Sequence, residues 1–257
     1  MHNHLQSGII YFEVLTMCFL VLMFLLYFFA AIITNKKFSK WPWHRYVLWS
    51  LGILCIGTAL VGPLASYAHM SFIGHMIGHL LLGMLTPLLL ALAKPMTLLL
   101  RSLNVSTARS LTSILKSRLL KFFTHPITAT TLNIGGLWLL YTTPLFHLIH
   151  QSIFLYAFVH LHVFLAGYLF TISIIYLDIT PHQYSHLYRS LILIIALASH
   201  KILSKYIYAF PPLGVSRLEA EVGSIWMYYG GDIVDLVLII ILCYQWYKAT
   251  TPRATTS

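Results

Sequence analysis

The sequence has 257 residues, 59% of them hydrophobic and only 9% charged, with a mean hydropathy of +0.81; soluble domains carry roughly 25% charged residues. A net charge of +10 would suit a nucleic-acid partner, but the basic residues sort along the chain as membrane topology requires, and that removes the nucleic-acid reading. The composition describes an integral membrane protein whose main contact is the lipid bilayer.

Apolar runs of about 20 residues, each able to cross a hydrocarbon core roughly 30 Å thick, recur in order at Gly8 to Thr34, Tyr46 to Ser66, Phe72 to Ala93, Thr124 to Thr142, Ser152 to Leu177, Ser190 to Phe210 and Val222 to Tyr247. Period-2 alternation is absent, so the expected fold is all-α, a polytopic bundle of about seven transmembrane helices forming a single domain over residues 1–257. The first run is longer than a signal-peptide core and its basic residues follow it, so a retained helix is expected. Lys36, Lys37, Lys40 and Arg45 follow the first run; Arg101, Arg109, Lys116, Arg118 and Lys121 follow the third; Arg189 follows the fifth; Lys248 and Arg253 follow the seventh. The positive-inside rule then places the N-terminus outside and the C-terminus in the cytoplasm.

Between the third and fourth runs, residues 94–123 read as an amphipathic connector resting on the inner surface. Lys94 and Pro95 end the span and Asn104 to Arg109 resembles a capped helix start. Leu111, Ile114, Leu115, Leu119 and Phe122 recur at helical spacing, while Arg109, Lys116, Arg118 and Lys121 supply charge for anionic head groups. The three cysteines, Cys18, Cys55 and Cys243, fall in different spans without a CxxC pair, so they read as small buried residues.

Chemistry is concentrated in polar residues placed inside the spans. His75 and His79 are four apart, hence on one helix face one turn from each other, with Met76 in the same turn. At about 1.5 Å per residue from the outer ends, His79 lies about 10 Å deep, His160 about 12 Å, and His200 and Asp232 about 15 Å. His75, Glu13 and His162 fall nearer the surface. Ionisable groups at such depth mark functional sites by default. Imidazoles accompanied by Met70, Met76, Met84 and Met227 form a nitrogen and thioether donor set, which favours copper over hard cations. The candidate metal ligands are therefore His75, His79, His160, His200, Met76 and Asp232. The competing structural roles are interhelical hydrogen bonding for single histidines, packing for methionines, and ion pairing of Asp232 and Asp235 with Lys201 or Lys205. Helix N-terminal placement and cation guiding are equal readings for Glu219 and Glu221. His147 and His150, in an outer loop, are candidates for a relay into the site. No catalytic motif for hydrolysis or nucleotide use is present, so an enzyme is not expected.

The segment Ser71 to Pro95, carrying His75, Met76, His79, the leucines 80–82, Pro87 and Pro95, resembles the hallmark of the CtaG family of bacterial polytopic membrane proteins needed to assemble caa-type cytochrome c oxidase. Pro144, His160 with the following Leu161 to Gly167, His200, and Glu219 to Met227 follow in that family's order. The resemblance covers roughly Tyr46 to Tyr247. Departures are Tyr141 with Thr142 and Thr143 where the family has a Trp-His pair, Glu219 where an aspartate opens the last motif, and no histidine near Tyr156. The resemblance implies a multi-pass protein of the bacterial cell membrane acting in oxidase biogenesis, with cytochrome c oxidase subunits as partners and copper as cargo. Two other classes remain open on the residues: b-type haem ligation by paired histidines, and metal or proton transport through a relay of Glu13, Asp232, Asp235 and the histidines.

Overall fold

The structure, a computed structural model, describes residues 2–251, with side chains from Tyr11 onward. Arg253, counted above among the cytoplasmic charges, lies outside the described residues, as do the side chains of His2 and His4. Among the described residues 84% are helical and no strand occurs.

The chain opens with α1 (His2–Lys37) and α2 (Trp43–Leu60). The second expected span is bent rather than straight: Gly62 takes a left-handed φ of 84° and Pro63 lacks an N–H, so the ladder stops and restarts as α3 (Pro63–Met70), turned by 44°. Next come α4 (Phe72–His79), a π-helical turn (Leu80–Leu85) and α5 (Thr86–Ala93) in one continuous rod. Lys94, at φ 54°, ends it, and Pro95 opens α6 (Pro95–Ser102).

The expected connector is not one helix but three, α6, α7 (Val105–Leu115) and α8 (Arg118–Phe123). Its start was legible: the Asn104 side chain accepts the Thr107 N–H at 2.8 Å. Then follow α9 (Pro126–Thr130), a second π-helical turn (Thr131–Gly135), α10 (Gly136–Thr142), the short α11 (Leu145–Ile149), α12 (Ile153–Ile174), α13 (His186–Ala209) and α14 (Arg217–Thr250).

Among the described residues five helices are long and apolar enough to cross a membrane, or six with the bent α2 and α3 taken as one span. The expected fourth span is helical over residues 126–142, about 25 Å at ~1.5 Å per residue, which is short of a full hydrocarbon core.

α14 packs on α13 and α4, and α12 packs on the first π turn, α5 and α9, while α1 lies outside against α2 and α6. Two apolar clusters stack along the bundle. Phe72, Met76, Tyr141, Leu203 and Met227 belong to one, and Leu88, Ile134, Phe170, Leu193 and Leu238 to the other. The first lies toward the end holding Met70, His150 and Glu219, called the mouth below; the second lies toward the basic end. There Arg189, counted among the basic residues that follow the fifth span, is buried in the first turn of α13. Its guanidinium donates to the Ile174 carbonyl at 2.6 Å and to Gln245 at 3.2 Å and lies over the Tyr176 ring.

Candidate functional site

Polar side chains meet where the two apolar clusters adjoin. His79 ends α4, His200 is in mid-α13, and their rings lie 6.3 Å apart. Both are buried, and among the described residues neither ring nitrogen of His79 nor Nε2 of His200 has a hydrogen-bond partner. Leaving a buried polar group unpartnered costs about 1–3 kcal/mol, so these nitrogens call for a partner that the described residues do not supply. They face a cavity of about 20 Å³, room for one water-sized occupant, whose wall also includes Met84, Asn133, Thr171 and Asp235.

Helix geometry explains why those residues meet. Met84 lies in the first π turn and Asn133 in the second, and single π turns recur at functional sites because the extra residue per turn re-aims side chains. Close backbone contact holds the first one: a Cβ on Gly167 of α12 would lie 2.1 Å from the Gly83 carbonyl oxygen, so only glycine permits this approach. Gly231 of α14 serves His200 similarly, since a Cβ there would come within 2.9 Å of the imidazole.

One turn toward the mouth, His75 Nε2 and the Tyr141 hydroxyl are hydrogen-bonded at 3.1 Å, and the His75 and His160 rings are 6.0 Å apart. The Nδ1–H of His160 donates to the Tyr156 carbonyl at 2.8 Å, which leaves Nε2 as the lone-pair nitrogen of a neutral ring. His150 is held the same way, through the Phe146 carbonyl at 2.9 Å. Fixing one ring nitrogen on a carbonyl to present the other is the usual arrangement around metal-binding histidines. The Tyr156 ring lies between His160, at 4.0 Å, and His69, at 4.5 Å. His69 is 6.3 Å from His150, and both line a cavity of about 170 Å³ at the mouth with Met70, His147 and Glu219. A line of imidazoles thus runs from the mouth to the central cavity.

Four of the six candidate ligands, His75, His79, His160 and His200, fall on this line. Met76 does not; it is fully buried in the first apolar cluster near Gly223, while Met84 takes the place at the cavity. Asp232 is engaged elsewhere, in an ion pair with Lys201 at 2.8 Å, and it is Asp235 that lines the cavity. At the mouth, Glu221 pairs with Arg217 at 3.0 Å, leaving Glu219 at the vestibule. Sequence reasoning missed His69, Asn133 and the role of Tyr141; only Tyr141 carried a signal, as the residue replacing a family motif. His162 is not on the line and its Nε2 faces the Leu132 carbonyl at 3.2 Å. Among the described residues no three His, Cys, Asp or Glu side chains converge as a ready metal site, so the donors occur as pairs.

The profile of the cytochrome c oxidase caa3 assembly factor family (Caa3_CtaG) matches residues 25–249. The chain belongs to this family. The match bears out the resemblance carried by Ser71 to Pro95 and extends it into α1. An uncharacterized protein of Mycobacterium leprae is 26% identical over 231 residues, 82% of this chain and 35% of its own length. Uncharacterized proteins of Mycobacterium bovis and Mycobacterium tuberculosis are each 34% identical over 162 residues, 60% of this chain and 24% of theirs. The chain therefore spans about a third or less of these relatives. No solved structure matches it. In this Caa3_CtaG member the hallmark segment is the rod that carries His75, His79, the first π turn and Met84.

Proposed function

We propose that the protein is a non-enzymatic membrane assembly factor for cytochrome c oxidase that takes up copper at the mouth, holds it between His79 and His200, and passes it to an oxidase subunit. The observation that carries this reading is the pair of buried imidazoles whose nitrogens have no protein partner and which share a cavity of ion size with a thioether. A nitrogen and thioether set fits Cu(I) in kind, and a bound ion would satisfy the orphaned nitrogens. In this reading His75 and His160 form the next pair toward the mouth, where His69, Met70, His150 and Glu219 collect the cation. A cavity of about 20 Å³ favours an ion over a haem macrocycle. Carboxylates do not continue past Asp235 toward the basic end except for Asp178, which favours a site opening to one side over a transport path.

The topology that goes with this function has seven spans, with residues 126–142 as a short fourth, the N-terminus outside the bacterial cell membrane and the C-terminus in the cytoplasm. The mouth then faces the outer side, where the oxidase's copper-binding domain would be met. Deleting the gene is expected to lower cytochrome c oxidase activity while total cellular copper stays normal, with wild-type protein restoring activity and the His75→Ala/His79→Ala variant failing to. Full restoration by that variant would overturn the reading, and altered cellular copper would assign the protein to transport.

A further inference from the structure

The chain sets 16 Lys and Arg against 6 Asp and Glu, and the two kinds of charge are segregated. Five of the carboxylates lie between the middle of the bundle and the mouth. The sixth, Asp178, sits at the basic end but is used internally: it accepts the N–H groups of Met96 at 2.7 Å and Thr97 at 2.8 Å, and the Thr97 hydroxyl. Both ion pairs among the described residues, Lys201 with Asp232 and Arg217 with Glu221, are away from this end. Its cations therefore make no ion pair among the described residues.

A groove of about 630 Å³ opens there between the end of α1, α6 and α7. Three cations line it, Arg101, Arg109 and Lys116, the last two spaced seven apart and so on one face of α7. The Arg101 guanidinium is held in place over the Phe38 and Trp41 rings and donates to the Ser39 hydroxyl at 3.3 Å. The rest of the wall is mainly apolar, with Phe38, Leu100 and Val105 among its residues, and Thr112 and Ser113 add two hydroxyls. A bare phosphate has no use for the apolar wall, and an acyl chain none for the cations. A molecule carrying both satisfies the whole surface.

We propose that this groove binds one anionic phospholipid, its phosphate among Arg101, Arg109 and Lys116 and an acyl chain along Phe38, Leu100 and Val105. Basic pockets beside transmembrane helices recognise lipid head groups on these terms. The groove differs from the general surface charge of the connector, because Arg118 and Lys121 on α8 are not part of it.

The test is native mass spectrometry of the full chain in detergent, titrated with dioleoyl phosphatidylglycerol or dioleoyl phosphatidylcholine. Phosphatidylglycerol is expected to be retained at about one per chain, at least about tenfold more tightly than phosphatidylcholine. Arg109→Gln/Lys116→Gln should remove that preference, Arg118→Gln/Lys121→Gln should leave it within about twofold, and Ala108→Trp, which keeps every charge but fills the groove, should weaken it. Equal retention of the two lipids, equal loss in both charge variants, unchanged retention in Ala108→Trp, or displacement by millimolar inorganic phosphate would each overturn the proposal.

Discussion

The two histidines at the central cavity behave unlike residues kept for stability. Their nitrogens are buried without partners, and replacing such groups by apolar side chains of similar size is close to neutral or stabilising. His79→Leu/His200→Leu is therefore expected to leave the thermal stability of the metal-free protein within about 1 kcal/mol or to raise it, while abolishing copper retention; a large drop in the melting midpoint would show the rings to be structural. Tyr141 has the opposite character. Tyr141→Phe leaves His75 without its hydroxyl partner and should cost about 1 kcal/mol, read as a lower melting midpoint. At this scale the i, i+4 spacing of His75 and His79 was enough to place both imidazoles on the buried face of α4, with His79 at the cavity. It could not choose between Met76 and Met84, because the choice depends on a π turn. In an α-helix a residue five places after His79 points about 140° away, whereas a π turn brings it back to nearly the same face. Nor could spacing separate Asp232 from Asp235, three apart on α14, since Lys201 on another helix decides which of them is occupied.

Elements are placed by glycines and prolines as much as by apolar stripes. Gly167 meets the Gly83 carbonyl so closely that Gly167→Ala must push α12 away from the π turn. Such overpacking costs roughly 1–3 kcal/mol, and the expected readout is a lowered melting midpoint together with weaker copper binding, as the His160 and Val163 side of the site moves off; an unchanged midpoint would mean that the contact is not as tight as the geometry requires. The helical class and the positions of most spans were legible because long apolar runs admit few alternatives in lipid. The breaks were less so. Pro63 and Gly62 announce a bend, but its 44° angle comes from packing. The connector's division into α6, α7 and α8 turns on the left-handed Lys94 and the caps at Asn104 and Ser117; the stop at Lys94 and the cap at Asn104 were read from the sequence, the cap at Ser117 was not. The burial of Arg189 was not legible from its charge, because its carbonyl and Gln245 partners come from α12 and α14.

For the whole molecule, charge segregation and the histidine line point in opposite directions along the bundle: cations toward one end, imidazoles opening at the other. If the basic end is cytoplasmic, as the positive-inside rule holds, a cysteine placed at Met70 in a background lacking Cys18, Cys55 and Cys243 should react with a membrane-impermeant maleimide on intact cells, and one placed at Ser113 only after permeabilisation. The reverse pattern would turn the mouth inward and separate the site from an outer-facing acceptor. The family is one described as oxidase assembly factors, and the proposed function joins that description to the paired orphan imidazoles. Both meet in a single claim, that the cavity between His79 and His200 holds copper. Anaerobic Cu(I) titration of the purified protein against a chromophoric chelator tests it most directly. Retention of about one ion per chain by the wild type, lost in His79→Leu/His200→Leu with folding intact, is the predicted result; equal copper stoichiometry in the two proteins would contradict it.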